Sequence, residues 1–148
     1  MSESEENPVT WKEMKIGGFV DHIGPLLAKR NNPGSGSDWR YGLKCKLHHA
    51  NPLGIIHGGV ITSLIDHAIA LVAWEAADRQ PVVTVQVDTK FLAAAKIGDL
   101  VEVQASLVHL TRSIIFLDAE VTVGGNPIAN ASAVMKVVGK KGEISNAG

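Results

Sequence analysis

The sequence of 148 residues has one cysteine, few aromatic residues and no excess of charge of either sign. The single thiol of Cys45 cannot form an intramolecular disulfide or a multi-cysteine zinc site, and this favours a reducing compartment. Lys and Arg number 14 while Asp and Glu number 15, which argues against a general nucleic-acid binder. A metal site is not predicted either, because His48, His49, His57 and His67 form no H-E-x-x-H arrangement.

The sequence also has no recognisable secretory signal or transmembrane segment. Its start is acidic and polar, where a secretory signal needs a basic flank and an apolar run. The longest apolar stretch, residues 60–74, contains polar side chains and is shorter than the roughly 18–20 residues of a bilayer span. We therefore expect a cytoplasmic protein with neither a membrane nor a nucleic acid as partner.

Length and composition are those of one globular domain. A chain of 148 residues is close to a typical domain size of about 150, and 45% of its residues are hydrophobic. We expect residues 1–148 to form a single domain, with a polar tail over about residues 1–15 and a frayed end over about residues 140–148.

Hydrophobic periodicity predicts one long helix among several strands. Apolar residues recur with helical spacing from Gly58 to Ala77, as in a core-facing helix of about five turns. Alternation predicts a strand over Trp39–His48, with Trp39, Cys45 and Leu47 among its inward-facing residues. Residues 16–29 predict a short helix leading into an edge strand, and residues 30–38 predict a hairpin turn. Four more strands are predicted at Val82–Phe91, Leu100–Leu110, Ile114–Val123 and Ile128–Val138.

The order of these elements predicts an α+β fold. Short, turn-like separators indicate that the last four strands form an antiparallel meander. The apolar stripe of the helix and the apolar face of the sheet each need a partner, so the helix should lie on one face of the sheet. A sheet wrapped around one central helix accounts for every segment.

His57, Gly58 and Gly59 stand where the long helix begins. The first N–H groups of a helix have no intrahelical partner and carry partial positive charge, so this end can donate to an oxyanion or a polarised carbonyl. Two glycines also allow a substrate to approach the backbone closely. The alternative is that both glycines serve only a tight turn between loop and helix.

Asp66 lies on the face of the predicted helix that is turned away from the core. On a helical wheel it points roughly 140° from the centre of the apolar stripe, beside Gly59, Thr62, Ala70 and Ala73. A strip of small residues with one acid suits close approach by a ligand or another helix. The alternative is an ordinary exposed aspartate.

A site that uses both Gly58 and Asp66 requires two copies of the chain. The two residues are eight positions apart, about 12 Å along the helix axis, so the carboxylate cannot reach a carbonyl bound at the start of its own helix. We therefore predict a dimer with two equivalent sites, each shared between subunits.

The pattern Asn-x-x-Gly-x-x-His-Gly-Gly at residues 51–59, followed by Asp66, resembles that of the hotdog-fold acyl-CoA thioesterases of the phenylacetate-degradation (PaaI) type. The resemblance extends from Phe-Val-Asp-His-Ile-Gly at residues 19–24 through Lys-Ile-Gly-Asp at residues 96–99 to the last strand. It implies a hotdog fold, hydrolysis of an acyl- or aryl-CoA thioester to free acid and CoA, and a homotetramer built as a dimer of dimers.

The resemblance also implies roles for individual residues. The backbone N–H of Gly58 polarises the thioester carbonyl, and Asp66 of the partner subunit acts as nucleophile or general base. Asn51 orients the water or the substrate, and His57 buttresses the loop. Thr84 supplies a hydroxyl that helps to place the water.

No metal is implied, because a thioester is already activated and its hydrolysis needs an oxyanion donor and a base. No cofactor is implied either, because coenzyme A is part of the substrate. Further residues are candidates for substrate contacts by their position in the chain. Arg112 and Ser113 are expected near the CoA phosphates, although solvated charges at a strand end are the alternative. The candidate substrate-binding residues are Gly59, Leu53, Ile56, Phe91, Arg112 and Ser113.

Two other functions stay open from the sequence. The first is a hotdog module that binds acyl-CoA or regulates without cleaving it, although pure binding does not need an acid such as Asp66 beside a carbonyl. The second is a hotdog enoyl-CoA hydratase or dehydratase, although the His/acid pair that it needs is not found at the expected place.

Overall fold

The computed structural model describes residues 10–30 and 39–139, and most helices and strands lie where periodicity predicts them. A single turn of 3₁₀ helix at Leu47–His49 precedes the long helix. In chain order the elements are β1 Lys12–Met14, α1 Phe19–Ile23, β2 Leu26–Arg30, β3 Trp39–Lys44, α2 Gly58–Ala76, β4 Val82–Phe91, β5 Leu100–Leu110, β6 Ile114–Val123 and β7 Asn126–Val137.

The seven strands form one antiparallel sheet in the order β1-β2-β3-β5-β6-β7-β4. The long helix α2 lies on one face of this sheet and contacts β3, β4, β5, β6 and β7. The predicted α+β architecture, a hotdog fold with a sheet around one long helix, is confirmed.

The apolar stripe of α2 holds the helix against the sheet. Ile65 and Ile69 are completely buried, and burying one such side chain contributes about 1.5–3 kcal/mol. Ala73, predicted on the Asp66 side of the helix, is also buried, so the open strip is narrower than the wheel indicates. The buried residues of α2 are Ile61, Leu64, Ile65, Ala68, Ile69, Val72 and Ala73.

The predicted four-strand meander is wrong at its first step, because β4 does not pair with β5. Instead β4 pairs with β7 at one edge of the sheet, while β5 lies between β3 and β6. Residues 92–99 carry the chain across: the Ile56 N–H donates to the Ala95 carbonyl at 2.8 Å, and the Gly98 N–H donates to the Cys45 carbonyl at 2.9 Å. A separator of this length fits either a hairpin or a crossover, so its sequence could not decide between them.

The opposite edge of the sheet also differs from the prediction. β1 falls within the predicted polar tail and pairs with β2, with Lys12 opposite Ala28, so β2 is not the edge strand. A strand of three residues is too short to show alternation in the sequence. The Trp11 ring packs on β3 at Gly42, where an added Cβ would lie 3.1 Å from the ring.

Strand β3 is shorter than predicted. It ends at Lys44 instead of His48, because the chain turns into the 3₁₀ segment. Leu47, predicted to face the core, is exposed in consequence, whereas Cys45 is buried as predicted. Trp39, also predicted to face the core, is 39% exposed at the first residue of the strand. Burial raises the pKa of the Cys45 thiol to about 11, which suits a core residue and not a nucleophile.

The last strand, β7, begins at Asn126, two residues before its predicted start. Pro127 is its second residue, and a missing N–H is tolerated at the start of a strand. Of the turn predicted at residues 30–38, Arg30 is the last residue of β2 and residues 31–38 lie outside the described residues, as do residues 1–9 and 140–148.

Within the described residues, α2 is the one helix long and apolar enough to cross a bilayer. Its apolar side chains pack against the sheet, so its hydropathy is explained by its place as the core helix.

Truncating the α2 stripe should destabilise the fold. We expect Ile69→Ala to lower the free energy of unfolding by about 2–5 kcal/mol, because it leaves a cavity at a fully buried position. Leu47→Ala, at a side chain that is 78% exposed, is the matched control and should change it by less than about 0.5 kcal/mol. Urea denaturation of both variants measures this; equal losses would contradict the central place of the stripe.

Candidate active site

The start of α2 has one backbone donor with no partner in the described part of the chain. His57 is the N-cap: its Nδ1 accepts from the Gly59 N–H at 3.1 Å, and its carbonyl accepts from the Val60 N–H at 2.9 Å. The Gly58 N–H makes no such bond. The His57 ring thus takes the Gly59 donor and leaves the neighbouring Gly58 donor open, while its predicted role in supporting the loop stays a prediction.

Phe91 lies against this open donor. An added Cβ at Gly58 would come within 3.2 Å of the Phe91 ring, which is tighter than ordinary contact. The ring itself is 54% exposed, so it forms one wall of an accessible surface beside the helix start. Glycine at this position allows both the aromatic wall and the approach of a ligand.

Asp66 is held by the neighbouring strand. Its side chain is exposed, and its Oδ1 accepts a hydrogen bond of 2.7 Å from the Thr84 hydroxyl of β4. A hydrogen bond to a carboxylate is among the stronger ones in proteins and fixes the carboxylate's orientation. The structure thus brings together two of the predicted catalytic residues, which are 18 positions apart in the chain.

A β-bulge at Val85 makes this contact possible. Simple alternation along Val83, Val85 and Val87 would place Thr84 on the outer face of the sheet. The bulge inserts Val85 as an extra residue, so Thr84 pairs with the inward-facing Met135 and shares a face with Val87. Val85 itself is 58% exposed.

Asn51 organises the loop before α2. Its side-chain oxygen accepts from the N–H groups of Leu53 and Ile55, at 2.9 and 3.1 Å. The acceptor end of the amide is thus used by the loop backbone, and the amide nitrogen is the end left to meet water or substrate. The sequence pattern predicts that Asn51 orients the water or the substrate and gives no indication of this turn.

His49 is a residue whose role the sequence did not reveal. It is 1% exposed; its Nδ1 accepts from the Lys46 N–H at 2.9 Å, and its Nε2 is bonded to the carbonyl of Ile23. Its own carbonyl accepts from the His57 N–H at 2.9 Å. His49 thus ties α1 and the 3₁₀ segment to the N-cap of α2, and only the tertiary contacts distinguish it from its exposed neighbour His48.

His67, next to Asp66, is packed inward. Its ring meets Tyr41 edge-on, with centroids 5.9 Å apart, and its Nε2 is buried without a hydrogen-bond partner among the described residues. Burial lowers the pKa of His67, against the opposing effect of Asp66. A neutral imidazole behind the carboxylate follows from this environment.

The predicted substrate-binding residues are scattered within one chain. Leu53 is 82% exposed in the loop, whereas Ile56 is 4% exposed and belongs to the core. Arg112 and Ser113 lie in the exposed turn between β5 and β6. That turn lies at the opposite end of the sheet from Phe91. Phe91 pairs with Ala129 of β7, whereas Ile114, next to the turn, pairs with Lys136, and these two β7 residues are seven positions, or about 23 Å, apart.

Among the described residues, no three His, Cys, Asp or Glu side chains gather closely enough to hold a metal ion. The groups that this surface does present are the backbone donor of Gly58, the carboxylate of Asp66 and the hydroxyl of Thr84. Such groups can polarise a carbonyl and activate water.

The family model described as the thioesterase superfamily matches residues 53–129, more than half of the chain. The chain belongs to the thioesterase superfamily. The match runs from the loop that Asn51 organises, through α2, to the strand β7. The resemblance to hotdog thioesterases is thereby confirmed at the level of the superfamily.

Two other proteins are similar to this chain in sequence. A Pseudomonas aeruginosa protein named as an esterase, PA0474, is 28% identical over 117 residues, which are 78% of this chain and 85% of that protein. Acyl-coenzyme A thioesterase 13 of Mus musculus is 28% identical over 81 residues, which are 54% of this chain and 57% of that protein.

Solved structures of other proteins have the same fold as this chain. A mutant of the phenylacetic acid degradation protein PaaI from Thermus thermophilus has a TM-score of 0.70 at 24% identity, covering 80% of this chain and 97% of that one. A hypothetical thioesterase from Streptococcus pneumoniae, solved with coenzyme A, has a TM-score of 0.65 at 22% identity, covering 88% of each.

The buried histidines make stability depend on pH. Burial lowers the pKa of His49, and of His67, below the ordinary value of about 6.5, so the unfolded chain binds more protons than the folded one at mildly acidic pH. The free energy of unfolding should therefore fall as the pH drops from about 7 towards 5. Urea denaturation at several pH values measures this slope.

His49→Asn removes one of these two proton sites and should reduce the pH slope without abolishing it, because His67 remains. The variant should also lose stability at neutral pH through the missing bond to Ile23. His22→Gln, at an exposed histidine, is the matched control and should leave the slope unchanged. A wild-type slope in the His49 variant would contradict the assignment.

Proposed function

We propose that the chain hydrolyses acyl-CoA thioesters at a site shared between two copies, with Gly58 from one and Asp66 from the other. The observation that carries this is the exposed Asp66 carboxylate, oriented by Thr84 at 2.7 Å. An ordinary surface aspartate is hydrated and needs no side-chain partner. A carboxylate that a neighbouring hydroxyl orients, on a strip of small residues, is suited to act as a nucleophile or a general base.

The open Gly58 N–H supports the other half of the reaction. A thioester carbonyl bound there gains a hydrogen bond that strengthens as negative charge develops on its oxygen, and one such donor is worth about 2.7–4 kcal/mol in the transition state. Asp66 acts as nucleophile or as the base that activates water, worth a further factor of about 10²–10⁴. The reaction needs no cofactor, since coenzyme A is part of the substrate.

The position of β4 supports a shared site. β4 is an edge strand of ten residues, with one side open for pairing in the described sheet. Its residue Phe91 packs on Gly58, and its residue Thr84 holds Asp66. If β4 pairs antiparallel with β4 of a second copy about its middle, the Phe91 end of one copy meets the Thr84 end of the other. Gly58 of one copy then lies near Asp66 of the other, although the two residues are about 12 Å apart along one helix.

The relatives support a CoA thioester as the substrate. The mouse protein is named as an acyl-CoA thioesterase, and the Streptococcus pneumoniae structure holds coenzyme A. In the proposed dimer, Phe91 and Leu53 border the acyl group, and the Arg112 turn of the second copy lies at the same end of the joined sheet. Association of two such dimers into a tetramer, in the cytoplasm, is part of the same proposal.

Removal of the acid tests the catalytic assignment. Asp66→Asn should lower kcat/KM for the best thioester of an acyl- and aryl-CoA panel by about 10²–10⁴-fold. Thr84→Val should lower it roughly tenfold or more through loss of the orienting bond, and Thr84→Ser should restore it. Asp88→Asn, on the same strand but facing outward opposite Ser132, is the matched control and should retain full turnover.

The outcomes of this assay separate the candidate functions. Undiminished thiol release by folded Asp66→Asn would overturn the catalytic role of Asp66. Tight binding of CoA thioesters without thiol release by the wild-type protein would indicate a binding module. Hydration of an enoyl-CoA without thiol release would indicate a hydratase.

Mixing two inactive variants tests the shared site. Gly58→Val drives a side chain against Phe91 and blocks the carbonyl, so neither Gly58→Val nor Asp66→Asn should turn over alone. Co-expressed, half of the dimers are mixed and each holds one intact site, so activity should return to about a quarter of wild type. Circular dichroism confirms that each variant is folded. No recovery in mixed dimers isolated with two affinity tags would contradict sites shared between copies.

A further inference from the structure

A second cleft lies at the other end of α2, away from Gly58 and Asp66. It is formed by the C-terminal part of α2 with strands β1, β2, β3 and β5, and its volume of about 780 Å³ is that of a small-molecule site. The side chains that matter for its chemistry are Arg30, Trp39, Tyr41, Trp74, Glu75 and Arg79.

Arg30 lines this cleft and has a hydrogen-bond donor without a partner among the described residues. Its guanidinium stacks over the Trp39 ring at 5.2 Å. Its Nε is buried and has no hydrogen-bond partner among the described residues. A buried charged donor without a partner is unfavourable, so an acceptor bound in the cleft would find an oriented, desolvated group.

Arg79 is turned towards the cleft by a strained backbone. Asp78 and Arg79 have φ of 56° and 63°, a left-handed conformation that residues with side chains seldom adopt. The Arg79 N–H donates to the Trp74 carbonyl at 2.8 Å, and the guanidinium returns over the Trp74 ring at 5.3 Å. A second cation stacked on a second indole thus borders the same space.

The charge balance of the cleft favours an anion with a single charge. Two guanidinium groups face one carboxylate, Glu75, which lies 3.4 Å from Arg79. Burial, with a smaller effect of Glu75, raises the pKa of Tyr41 to about 12, so the phenol is neutral. Arg79 and Glu75 are 68% and 60% exposed, so solvent screens that pair. Counting Arg30, Arg79 and Glu75, the cleft carries about one positive unit, which one carboxylate group balances.

We propose that this cleft binds a planar aromatic carboxylate, with its carboxylate group on Arg30 and Arg79 and its ring against the indoles of Trp39 and Trp74. The guanidinium fork matches the geometry of a carboxylate, and flat indole faces favour a stacked ring over a branched aliphatic chain. This inference rests on the cleft alone and does not depend on the proposed thioesterase activity.

Calorimetric titration of the full chain with 2-naphthoate tests the proposal. One molecule should bind per chain, about tenfold or more tightly than neutral 2-naphthamide or dianionic 2-naphthyl phosphate. Arg30→Gln should weaken binding about tenfold or more, and Arg79→Lys, which keeps the charge but loses the fork, should also weaken it. Asp66→Asn, at the other site, should bind 2-naphthoate like the wild type.

Each contrary result overturns the proposal. These results are no detectable binding of 2-naphthoate, equal binding of 2-naphthamide, or undiminished binding by folded Arg30→Gln. Loss of binding in Asp66→Asn with none in Arg30→Gln would place the naphthoate at the α2 and β4 site instead. If Arg30→Gln is not folded by circular dichroism, Arg79→Gln and Trp74→Leu carry the same comparison, because both side chains lie at the surface of α2 and its C-terminal turn.

Discussion

The packing of α2 against the sheet is the interaction on which the rest of the structure depends. One helix packs against five of the seven strands, β3 to β7, so its rotation decides which residues are buried and which stay open. With Ile65 and Ile69 facing the sheet, Asp66 is directed towards β4. The position of the helix along its axis then sets Gly58 against Phe91. Core packing and the geometry of the candidate site are consequences of the same contact.

Strand β4 connects this core to the surface where the proposed reaction takes place. Thr84 and Phe91, seven residues apart on the strand, each contact a different functional position of α2. Residues seven positions apart on a regular strand point to opposite faces. Thr84 and Phe91 share a face because the bulge at Val85 adds one residue between them. The same strand is the edge of the sheet, so a single element both orients Asp66 and offers the side at which a second copy can complete the site.

The two ends of α2 have different chemical character. At the N-terminus the backbone N–H of Gly58 is open and its neighbour is capped by His57, in a loop held by Asn51 and the buried His49. At the C-terminus, the left-handed backbone of Arg79 accompanies a guanidinium stacked over Trp74, and Arg30 and Arg79 both border the cleft there. A helix that serves as the core of the domain thereby presents distinct binding chemistry at each end.

Local sequence patterns by themselves determined where the long helix and most strands lie and which loop precedes the helix. The helical period from Gly58, the bounds of β4, β5 and β6, and the loop pattern ending in His57 and Gly58 depend on neighbours in the chain, so they can be predicted. The strand order could not, because residues 92–99 fit a hairpin or a crossover equally well. Nor could the inward turn of Thr84, since alternation along Val83, Val85 and Val87 predicts the opposite face. Those features depend on contacts between residues far apart in sequence, and only the tertiary structure decides them.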